Sequence, residues 1–261
     1  MVDIPDAHPR KDSLLARKKI VEASTDGLLA ASAMIAHGRG EAFDYLLGEK
    51  TTDSARLAIR EVAARLLDSD NPVISVNGNT VVLAGKELVR VATVLSCPIE
   101  VNLYYRTPER VSGLLALLEK QRHIVSKESG PEGFDGDWGK AVGEVGLLGE
   151  DPDYRIEGLE GPRSLCTEVG IGSADSILVP LEDGDRCQAL VRLGKEVFVV
   201  DLNPLSRSSV GATVTIVDEI SRASKLLLKE TLRGSRQIAD WDNSQALKDA
   251  LSCMANSGRR N

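Results

Sequence analysis

Aromatic residues and paired cysteines are scarce in this sequence. Phe, Tyr and Trp make up 3% of the 261 residues, although 42% of all residues are hydrophobic. The core must therefore be built mainly from Leu, Val, Ile and Ala. The four cysteines are scattered, with no Cys-x-x-Cys pair and no His at zinc-ligand spacing. This pattern indicates free thiols in a reducing compartment rather than disulfides or a zinc site, and we expect a cytoplasmic protein.

Long apolar runs and excess positive charge are also missing. No run is long enough to cross a bilayer, and residues 1–6 lack the basic and apolar regions of a signal peptide. The net charge is −7 and the isoelectric point is near 5.2, whereas nucleic-acid-binding proteins usually carry a basic field. We therefore expect neither a membrane nor a nucleic-acid partner, although local arginines can still bind small phosphorylated ligands.

Familiar signatures of catalysis and cofactor binding are absent as well. The chain has no Gly-x-x-x-x-Gly-Lys-Ser/Thr loop and no Gly-x-Gly-x-x-Gly after a first strand, which argues against P-loop kinases and standard dinucleotide dehydrogenases. It also has no Gly-x-Ser-x-Gly elbow and no His-Glu-x-x-His helix. Any nucleotide site must therefore be built from unrelated loops.

The order of apolar patterns predicts an α/β fold. We predict that residues 1–70 form an N-terminal helical segment, with a break at Gly38-Arg39-Gly40, and that 233–261 form a C-terminal helical tail. Residues 71–232 alternate between short apolar runs and helical stretches, which predicts a Rossmann-like, doubly wound parallel sheet. The Gly- and acid-rich interval near 126–160 is a poor core former, so we expect a surface excursion, either a lid or disordered.

Two acidic loops each follow a short apolar run. The run 177–179 precedes Asp183-Gly184-Asp185, and the run 197–200 precedes Asp201-Leu202-Asn203. The helical stretch between them makes a parallel βαβ unit, which places both loops at the carboxyl edge of the sheet, where open α/β sheets bind ligands. Carboxylates there can accept hydrogen bonds from ribose hydroxyls or hold Mg²⁺. The alternative is that both loops are turns with Asx hydrogen bonds.

Basic and hydroxyl side chains follow both loops. Arg186 comes directly after the first loop, and Ser206 and Arg207 come shortly after the second. Guanidinium groups at this edge can bind phosphates. The loops and the arginines together predict a nucleotide site.

A third candidate segment lies among the N-terminal helices, at His37-Gly38-Arg39-Gly40-Glu41. Two glycines let the backbone approach a ligand closely. A helix that starts at Glu41 would present free N–H groups beside the Arg39 guanidinium, which suits a phosphate or a carboxylate. The alternative is a helix C-cap and a turn, with Arg39 in solvent. His37 is either a general base or a hydrogen-bonded structural residue.

Amide and arginine side chains lie at the ends of the first two predicted strands. Asn77-Gly78-Asn79 forms the predicted loop after the strand at 72–76, and Asn102 and Arg106 lie near the end of the strand at 99–105. Amides can bind a hydroxyl or a carboxylate without adding charge, and in a parallel sheet Arg106 points to the same edge. A plain turn is the alternative for Asn77-Gly78-Asn79.

Several segments of the chain match one known family, in order. They are residues 8–10, 35–49, 71–79, 100–107, 179–186, 201–207 and 215–218. Together they resemble the archaeal phosphopantothenate synthetases, which are 4-phosphopantoate–β-alanine ligases, over all of the chain except its tail. The resemblance implies ATP-dependent condensation of 4-phosphopantoate with β-alanine through a phosphopantoyl adenylate. The implied product is 4′-phosphopantothenate, which serves coenzyme A biosynthesis, and AMP and pyrophosphate are released with it. The resemblance also implies a homodimer.

The resemblance and the preceding patterns define the expected site. ATP contacts are implied at Arg17, Arg39, Asp183, Gly184, Asp185, Arg186, Asp201, Leu202 and Asn203, to which we add Ser206 and Arg207. Substrate contacts are expected at Asn77, Gly78, Asn79, Asn102 and Arg106, and catalytic roles at Arg39, His37 and Arg106. Mg²⁺ is expected on the ATP phosphates, with one Asp as a further ligand.

The chemistry implied by the resemblance fits these residue types. A carboxylate must be activated before an amine can attack it, and cations are needed to draw two anionic substrates together. Two other classes stay open, a transferase with an adenosine cofactor and a non-catalytic adenine-nucleotide-sensing module. The missing glycine fingerprint argues against the first, and the second needs no cluster of phosphate-binding arginines. Release of AMP separates the three.

Overall fold

Six parallel strands form the central sheet in a computed structural model of the protein, which describes residues 4–181 and 183–257. In chain order the strands are β1 (Pro72–Val76), β2 (Ile99–Val101), β3 (Leu147–Leu148), β4 (Tyr154–Arg155), β5 (Leu165–Cys166), β6 (Ser176–Pro180), β7 (Glu196–Val200) and β8 (Val214–Ile216). The strands β4 and β5 form a separate antiparallel pair, and the others belong to the central sheet.

Helices connect and cover these strands. In chain order they are α1 (Lys11–Thr25), α2 (Ser32–Leu47), α3 (Asp53–Asp68), α4 (Gly78–Leu95), α5 (Pro108–Ser126), α6 (Trp138–Gly143), α7 (Gly184–Arg192), α8 (Arg207–Gly211), α9 (Ile220–Arg233) and α10 (Asn243–Ala255). None of the helices in the described ranges is both long and apolar enough to span a bilayer.

The sheet has the order β3-β2-β1-β6-β7-β8, and every neighbouring pair is parallel. Successive side chains of a strand point to opposite faces. Leu178 therefore joins the larger core, under α4 and α9, whereas Ile177 and Val179 join the smaller core, under α7. Helices thus cover both faces, and the predicted Rossmann-like, doubly wound parallel sheet is confirmed.

Capping residues start the helices where the sequence indicates. The Thr52 hydroxyl oxygen accepts from the Ala55 N–H at 3.2 Å, and α3 begins at the next residue. The Thr107 hydroxyl oxygen accepts from the Arg110 N–H at 3.3 Å, and Pro108 is the first residue of α5. These side chains satisfy backbone donors that have no partner within the helix.

The predicted break at Gly38-Arg39-Gly40 is wrong, because α2 runs without interruption from Ser32 to Leu47. Each glycine in a helix costs about 1 kcal/mol relative to alanine, so tertiary packing must outweigh that cost. Gly40 lies against Leu202, whose Cδ1 would be 3.4 Å from an added Cβ, and Leu47 shares a buried cluster with Leu202. Gly40 therefore packs against Leu202 within a continuous helix, whereas Gly38 has no neighbour within 4 Å of an added Cβ.

The interval near 126–160 is not simply a surface excursion. It contains α6 and β3, and β3 is the edge strand that pairs with β2. Trp138 is buried and donates from Nε1 to the Val125 carbonyl oxygen at 3.0 Å, and Val142 is buried in the larger core. One tryptophan and a few valines thus anchor a segment whose overall composition predicts little packing.

The N-terminal helices share the larger core with the sheet. Ile20 of α1 and Ile59 of α3 belong to the same buried cluster as Ile74 of β1. The boundaries at residues 70 and 232 stay predictions, and residues 1–3 and 258–261 of the two outer segments lie outside the described part of the chain.

Gly149 offers a test of whether β3 is integral to the sheet. It has a φ of +113°, and an added Cβ would overlap the backbone of Val101 in β2. We expect Gly149→Ala to lower the free energy of unfolding by about 1–3 kcal/mol, the range for strain and overpacking, in urea titrations.

Gly143→Ala is the matched control, because an added Cβ there meets no atom within 4 Å. We expect this variant to change stability by less than about 0.5 kcal/mol. Equal stability of the two variants would instead agree with the prediction that the interval near 126–160 is a surface excursion.

Candidate active site

A cavity of about 650 Å³ opens at the carboxyl edge of the sheet, beside the junction of β1 and β6. Its wall includes Asn77 after β1, Leu181 after β6 and residues of α1 and α2. The strand order reverses at this junction, and open α/β sheets bind ligands at such a point. The volume is typical of a site for small molecules.

Asn77 joins the two strands at this end of the cavity. Its Oδ1 accepts from the N–H and the hydroxyl of Thr80, both at 3.1 Å. Its Nδ2 donates to the Leu181 carbonyl oxygen at 2.9 Å, and Leu181 has a φ of +58°. A left-handed leucine costs about 1–3 kcal/mol and persists only where its surroundings hold it. The amide of Asn77, a predicted substrate contact, is thus occupied in capping α4 and holding Leu181.

Gly78 and Asn79 form the first turn of α4 rather than the predicted loop, and both line the cavity. An added Cβ at Gly78 would lie 2.6 Å from Leu29 Cδ2, so glycine allows this close approach. Asn79 is only 8% exposed, and its Nδ2 donates to the Ala33 carbonyl oxygen at 3.0 Å. Its Oδ1 has no hydrogen-bond partner within the described residues.

His37 lines the same cavity from α2. Its Nε2 is buried and has no hydrogen-bond partner in the part of the chain that the structure describes. Burial lowers the pKa of His37, and the carboxylates of Glu41 and Glu219 act against that shift. The ring is therefore neutral at neutral pH, and its Nε2 makes no structural hydrogen bond.

The two arginines expected to contact ATP from the N-terminal helices lie outside the cavity wall. Arg17 donates to both carboxylate oxygens of Glu41 at 2.9 Å. Arg39 is exposed on α2. Because α2 is continuous, no free N–H groups begin at Glu41, and that argument for an anion site is wrong. Arg39 does come near another predicted residue: burial raises the pKa of Asp201, and the Arg39 guanidinium acts against that shift.

The loop after β6 is held by its own side chains. The Asp183 Oδ1 accepts from the Asp185 N–H at 3.1 Å and caps α7. Asp185 forms an exposed ion pair with Arg207, and an added Cβ at Gly184 would clash with Arg207. These predicted ATP contacts therefore lie together at the sheet edge, although they are absent from the cavity wall.

The loop after β7 is also a turn with Asx hydrogen bonds, as in the alternative interpretation. The Asp201 carboxylate accepts from the Asn203 N–H at 2.9 Å and from the Ser206 hydroxyl at 2.5 Å. The Asn203 Oδ1 accepts from the Leu205 N–H at 3.0 Å. Leu202 alone of this loop lines the cavity. The carboxylate of Asp201 thus has internal partners before any ligand binds.

Two other predicted arginines form hydrogen bonds within the protein, one to a side chain of the sheet and one to backbone carbonyls. Arg186 is fully buried and donates to the Ser75 hydroxyl in β1 at 2.8 Å. Arg106 donates to the carbonyl oxygens of Gly149 and Glu150, at 2.6 and 3.0 Å. Neither lines the cavity, so the structure does not bring them together with His37 and Asn79.

Sequence reasoning missed several cations of the cavity wall, and Arg110 and Arg163 are two of them. The Arg163 guanidinium donates to the Asn102 carbonyl oxygen at 3.0 Å, while the Asn102 Nδ2 donates to the Leu165 carbonyl oxygen at 2.8 Å. Asn102, a predicted substrate contact, therefore positions Arg163. Arg110 donates to backbone carbonyls of Leu28 and Tyr105, and burial lowers its pKa.

The sequence carried a signal for only one of these cations. Arg110 lies in the first turn of a helix that begins just after a predicted strand, and this position could have placed it at the ligand edge. Arg163 lies in a short turn beyond the acid-rich interval, far along the chain from β2, and no local pattern indicates its position.

Comparison with known families identifies one family over most of the chain. The family model described as phosphopantothenate/pantothenate synthetase matches residues 54–257. The chain belongs to this family. The resemblance noted in the sequence is therefore confirmed.

Curated relatives of this synthetase-family chain match it over most of its length. A protein from Thermococcus onnurineus is 45% identical over 259 residues, which cover 96% of this chain and 92% of that protein. One from Methanosarcina mazei is 42% identical over 260 residues, with coverage of 97% and 94%. One from Methanospirillum hungatei is 46% identical over 220 residues, with coverage of 84% and 81%. Each of the three is named 4-phosphopantoate–β-alanine ligase.

In this synthetase-family chain, a buried ionic network fixes α2 against α9 at the cavity wall. Arg222 of α9 donates to Asp44 of α2 at 3.0 Å and to Asp218 at 2.7 Å. The Thr51 hydroxyl donates to the other oxygen of Asp218 at 2.6 Å. Burial raises the pKa of Asp218, and Arg222 acts against that shift. Because a lone buried charge is costly, this network holds the helix that carries His37 in one position.

Proposed function

We propose that the protein is an ATP-dependent ligase that condenses 4-phosphopantoate with β-alanine to 4′-phosphopantothenate, in coenzyme A biosynthesis. The observation that carries this proposal is the near-full-length similarity to three relatives named for that ligation. The cavity at the reversal of strand order supports it, because such a site suits small molecules. A cytoplasmic location is part of the proposal.

The reaction has two steps in this proposal. A carboxylate oxygen of 4-phosphopantoate attacks the α-phosphorus of ATP, and the bond to pyrophosphate breaks. The amine of β-alanine then attacks the acyl carbon of the adenylate, and AMP leaves. The protein contributes mainly by positioning two anionic substrates and stabilising the charge that develops between them.

The anionic end of 4-phosphopantoate is proposed to lie between Arg110 and the first turn of α4. The N–H groups of Gly78 and Asn79 open that turn at the cavity, and the N-terminus of a helix favours anions. Arg110 brings a positive charge that has backbone carbonyls, and no described carboxylate, as hydrogen-bond partners. Asn77 supports this subsite by capping the helix.

ATP is proposed to extend from the cavity along the carboxyl edge of the sheet, toward the loops after β6 and β7. The nearness of Arg39 to Asp201 and the ion pair of Asp185 with Arg207 support this placement, because both lie at that edge. No three His, Cys, Asp or Glu side chains converge as metal ligands within residues 4–181 and 183–257. We therefore propose that Mg²⁺ is held chiefly by the ATP phosphates, as is usual for this ion.

Product analysis tests the proposed function. With ATP, Mg²⁺, 4-phosphopantoate and β-alanine, we expect AMP and pyrophosphate in amounts equal to the 4′-phosphopantothenate formed. Chromatography of quenched reactions measures all three, and omission of β-alanine is the control. ADP and phosphate as products would instead indicate an acyl-phosphate route.

Alanine variants of two arginines test the two anion subsites separately. We expect Arg110→Ala to raise the KM for 4-phosphopantoate, and Arg39→Ala the KM for ATP, each by about ten- to a hundred-fold, which corresponds to about 1.5–3 kcal/mol for a hydrogen bond to a charged group. Steady-state kinetics with each substrate varied in turn measures both constants.

Arg56→Ala, at an exposed arginine of α3 outside the cavity wall, is the control for loss of a positive charge. An unchanged KM for ATP in Arg39→Ala would contradict the proposed placement of ATP. The loops after β6 and β7 would then be turns with no role in ATP binding. An unchanged KM for 4-phosphopantoate in Arg110→Ala would remove Arg110 from the anion subsite.

We also propose that the protein is a homodimer. Met34, Ile35, Tyr45 and Leu46 of α2 are between 43% and 67% exposed, which is unusual for four large apolar side chains of one helix. A second copy that covers this face would bury them. Light scattering should give twice the mass of the chain, and Ile35→Glu should shift it to the monomer. A monomeric wild-type protein would contradict the proposal.

A further inference from the structure

Two buried polar atoms belong to residues of the cavity wall: the Asn79 amide oxygen, and His37 Nε2, which is an acceptor in the neutral tautomer that carries its proton on Nδ1. Asn79 Oδ1 and His37 Nε2 both lack a hydrogen bond within the described residues, and both residues line the cavity. Buried polar atoms are nearly always satisfied in folded proteins. Two unsatisfied atoms on one cavity wall therefore mark a place where a ligand supplies the donors.

The orientation of the Asn79 amide is fixed by its neighbour. The Ala33 carbonyl oxygen can only accept, so the Asn79 group at 3.0 Å from it must be the NH₂ donor. The amide oxygen then has to be the atom left without a partner. Asn79 Oδ1 can therefore accept a hydrogen bond from a ligand donor, whereas it repels a phosphate or a carboxylate.

Helix geometry brings the two acceptors together. Ala33 and His37 are four residues apart on α2, which is about one turn, or roughly 5–6 Å along the helix. Side chains of a helix lean toward its N-terminus. His37 therefore lies on the same side of α2 as Ala33, whose carbonyl oxygen binds Asn79, and His37 and Asn79 line one cavity.

The charges around His37 suit a cationic ligand group. The carboxylates of Glu41 and Glu219 both act on His37 and both line the cavity, whereas Arg17 acts with the opposite sign. Glu219 also accepts from the N–H of Arg222 and the hydroxyl of Ser221, so it is held in place. Because Arg10 and Arg17 both bind Glu41, Glu219 is the carboxylate of the two that favours a positively charged amine here.

We propose that Asn79 Oδ1 and His37 Nε2 form the subsite for the amine of β-alanine, with His37 as the base that accepts its proton. The inference rests on the proposed function, which supplies an amine as the second substrate. The ammonium loses one proton to solvent on binding, and the nitrogen attacks the acyl carbon of the adenylate.

The second proton transfer takes place as the amide bond forms. As the N–C bond forms, the nitrogen becomes positive and passes one proton to His37 Nε2. The acyl C–O bond to the phosphate breaks, and its electron pair leaves with AMP. The other N–H donates to Asn79 Oδ1 and remains in the amide product. His37 later releases its proton to solvent.

Partial reactions test this assignment. ATP–pyrophosphate exchange with 4-phosphopantoate, in the absence of β-alanine, reports adenylate formation alone. We expect His37→Gln to exchange within about two-fold of the wild type, while amide formation falls at least 100-fold, the usual scale for loss of a general base. Asn79→Ala should raise the KM for β-alanine about ten-fold or more and leave the KM values for ATP and 4-phosphopantoate unchanged.

Hydroxylamine provides a second measurement that a merely structural role would not affect. This small amine is mostly neutral at pH 7, and at high concentration it attacks acyl adenylates with water as the acceptor of the released proton, so it should intercept the adenylate in His37→Gln nearly as fast as in the wild type. His123→Gln, at an exposed histidine of α5, is the matched control and should behave as the wild type throughout. Urea midpoints verify that each variant is folded.

The outcomes separate this inference from the proposed function. Equal loss of exchange and amide formation in folded His37→Gln, or no loss of either, would overturn the assignment of His37. An unchanged KM for β-alanine in Asn79→Ala would overturn that of Asn79. If the wild type itself shows no 4-phosphopantoate-dependent exchange, the proposed adenylation route fails, and the inference fails with it.

Discussion

The hydrogen bonds of the Asn77 amide determine the shape of the whole site. Oδ1 holds Thr80 and so fixes the start of α4, while Nδ2 holds the carbonyl of Leu181 and so fixes the end of β6. The amide thereby links the two strands between which the chain order reverses. Because Leu181 adopts an unfavourable left-handed conformation, the link also stabilises a strained backbone at the cavity wall. Without it, neither the helix N-terminus nor the cavity would be well placed.

Ionic contacts bring the N-terminal helices to this edge of the sheet. Arg222 binds Asp44 and Asp218, so α2 is held against α9. At the other side of α2, Arg10 binds Glu41. A site that needs residues from both the sheet and the N-terminal helices can form only if these contacts are made. The helical segment therefore forms part of the cavity wall, and it carries His37 to the end of the sheet.

The structure places some of the predicted site residues around one cavity and others outside its wall. Placing ligands at the carboxyl ends of parallel strands identified Asn77, Gly78, Asn79 and Leu202, which line the cavity. The same rule cannot tell whether a polar side chain at that edge faces a ligand or its own backbone. Asp201 satisfies its carboxylate within its own turn, and Arg186 is buried beneath the sheet. The partners of Asp201 are local, whereas the position of Arg186 depends on Ser75, which is distant in the chain.

The sequence by itself determined the alternation of strands and helices, the helix caps at Thr52 and Thr107, and the family. These properties rest on local periodicity, on capping side chains such as Thr52 and Thr107, and on matched segments, all of which are local in the chain. Only the tertiary structure decided that α2 continues through Gly38 and Gly40, because Leu47 of α2 is buried against Leu202, which is distant in the chain. It also decided which polar atoms face the cavity, because burial and hydrogen-bond partners are set by contacts between residues far apart in the chain.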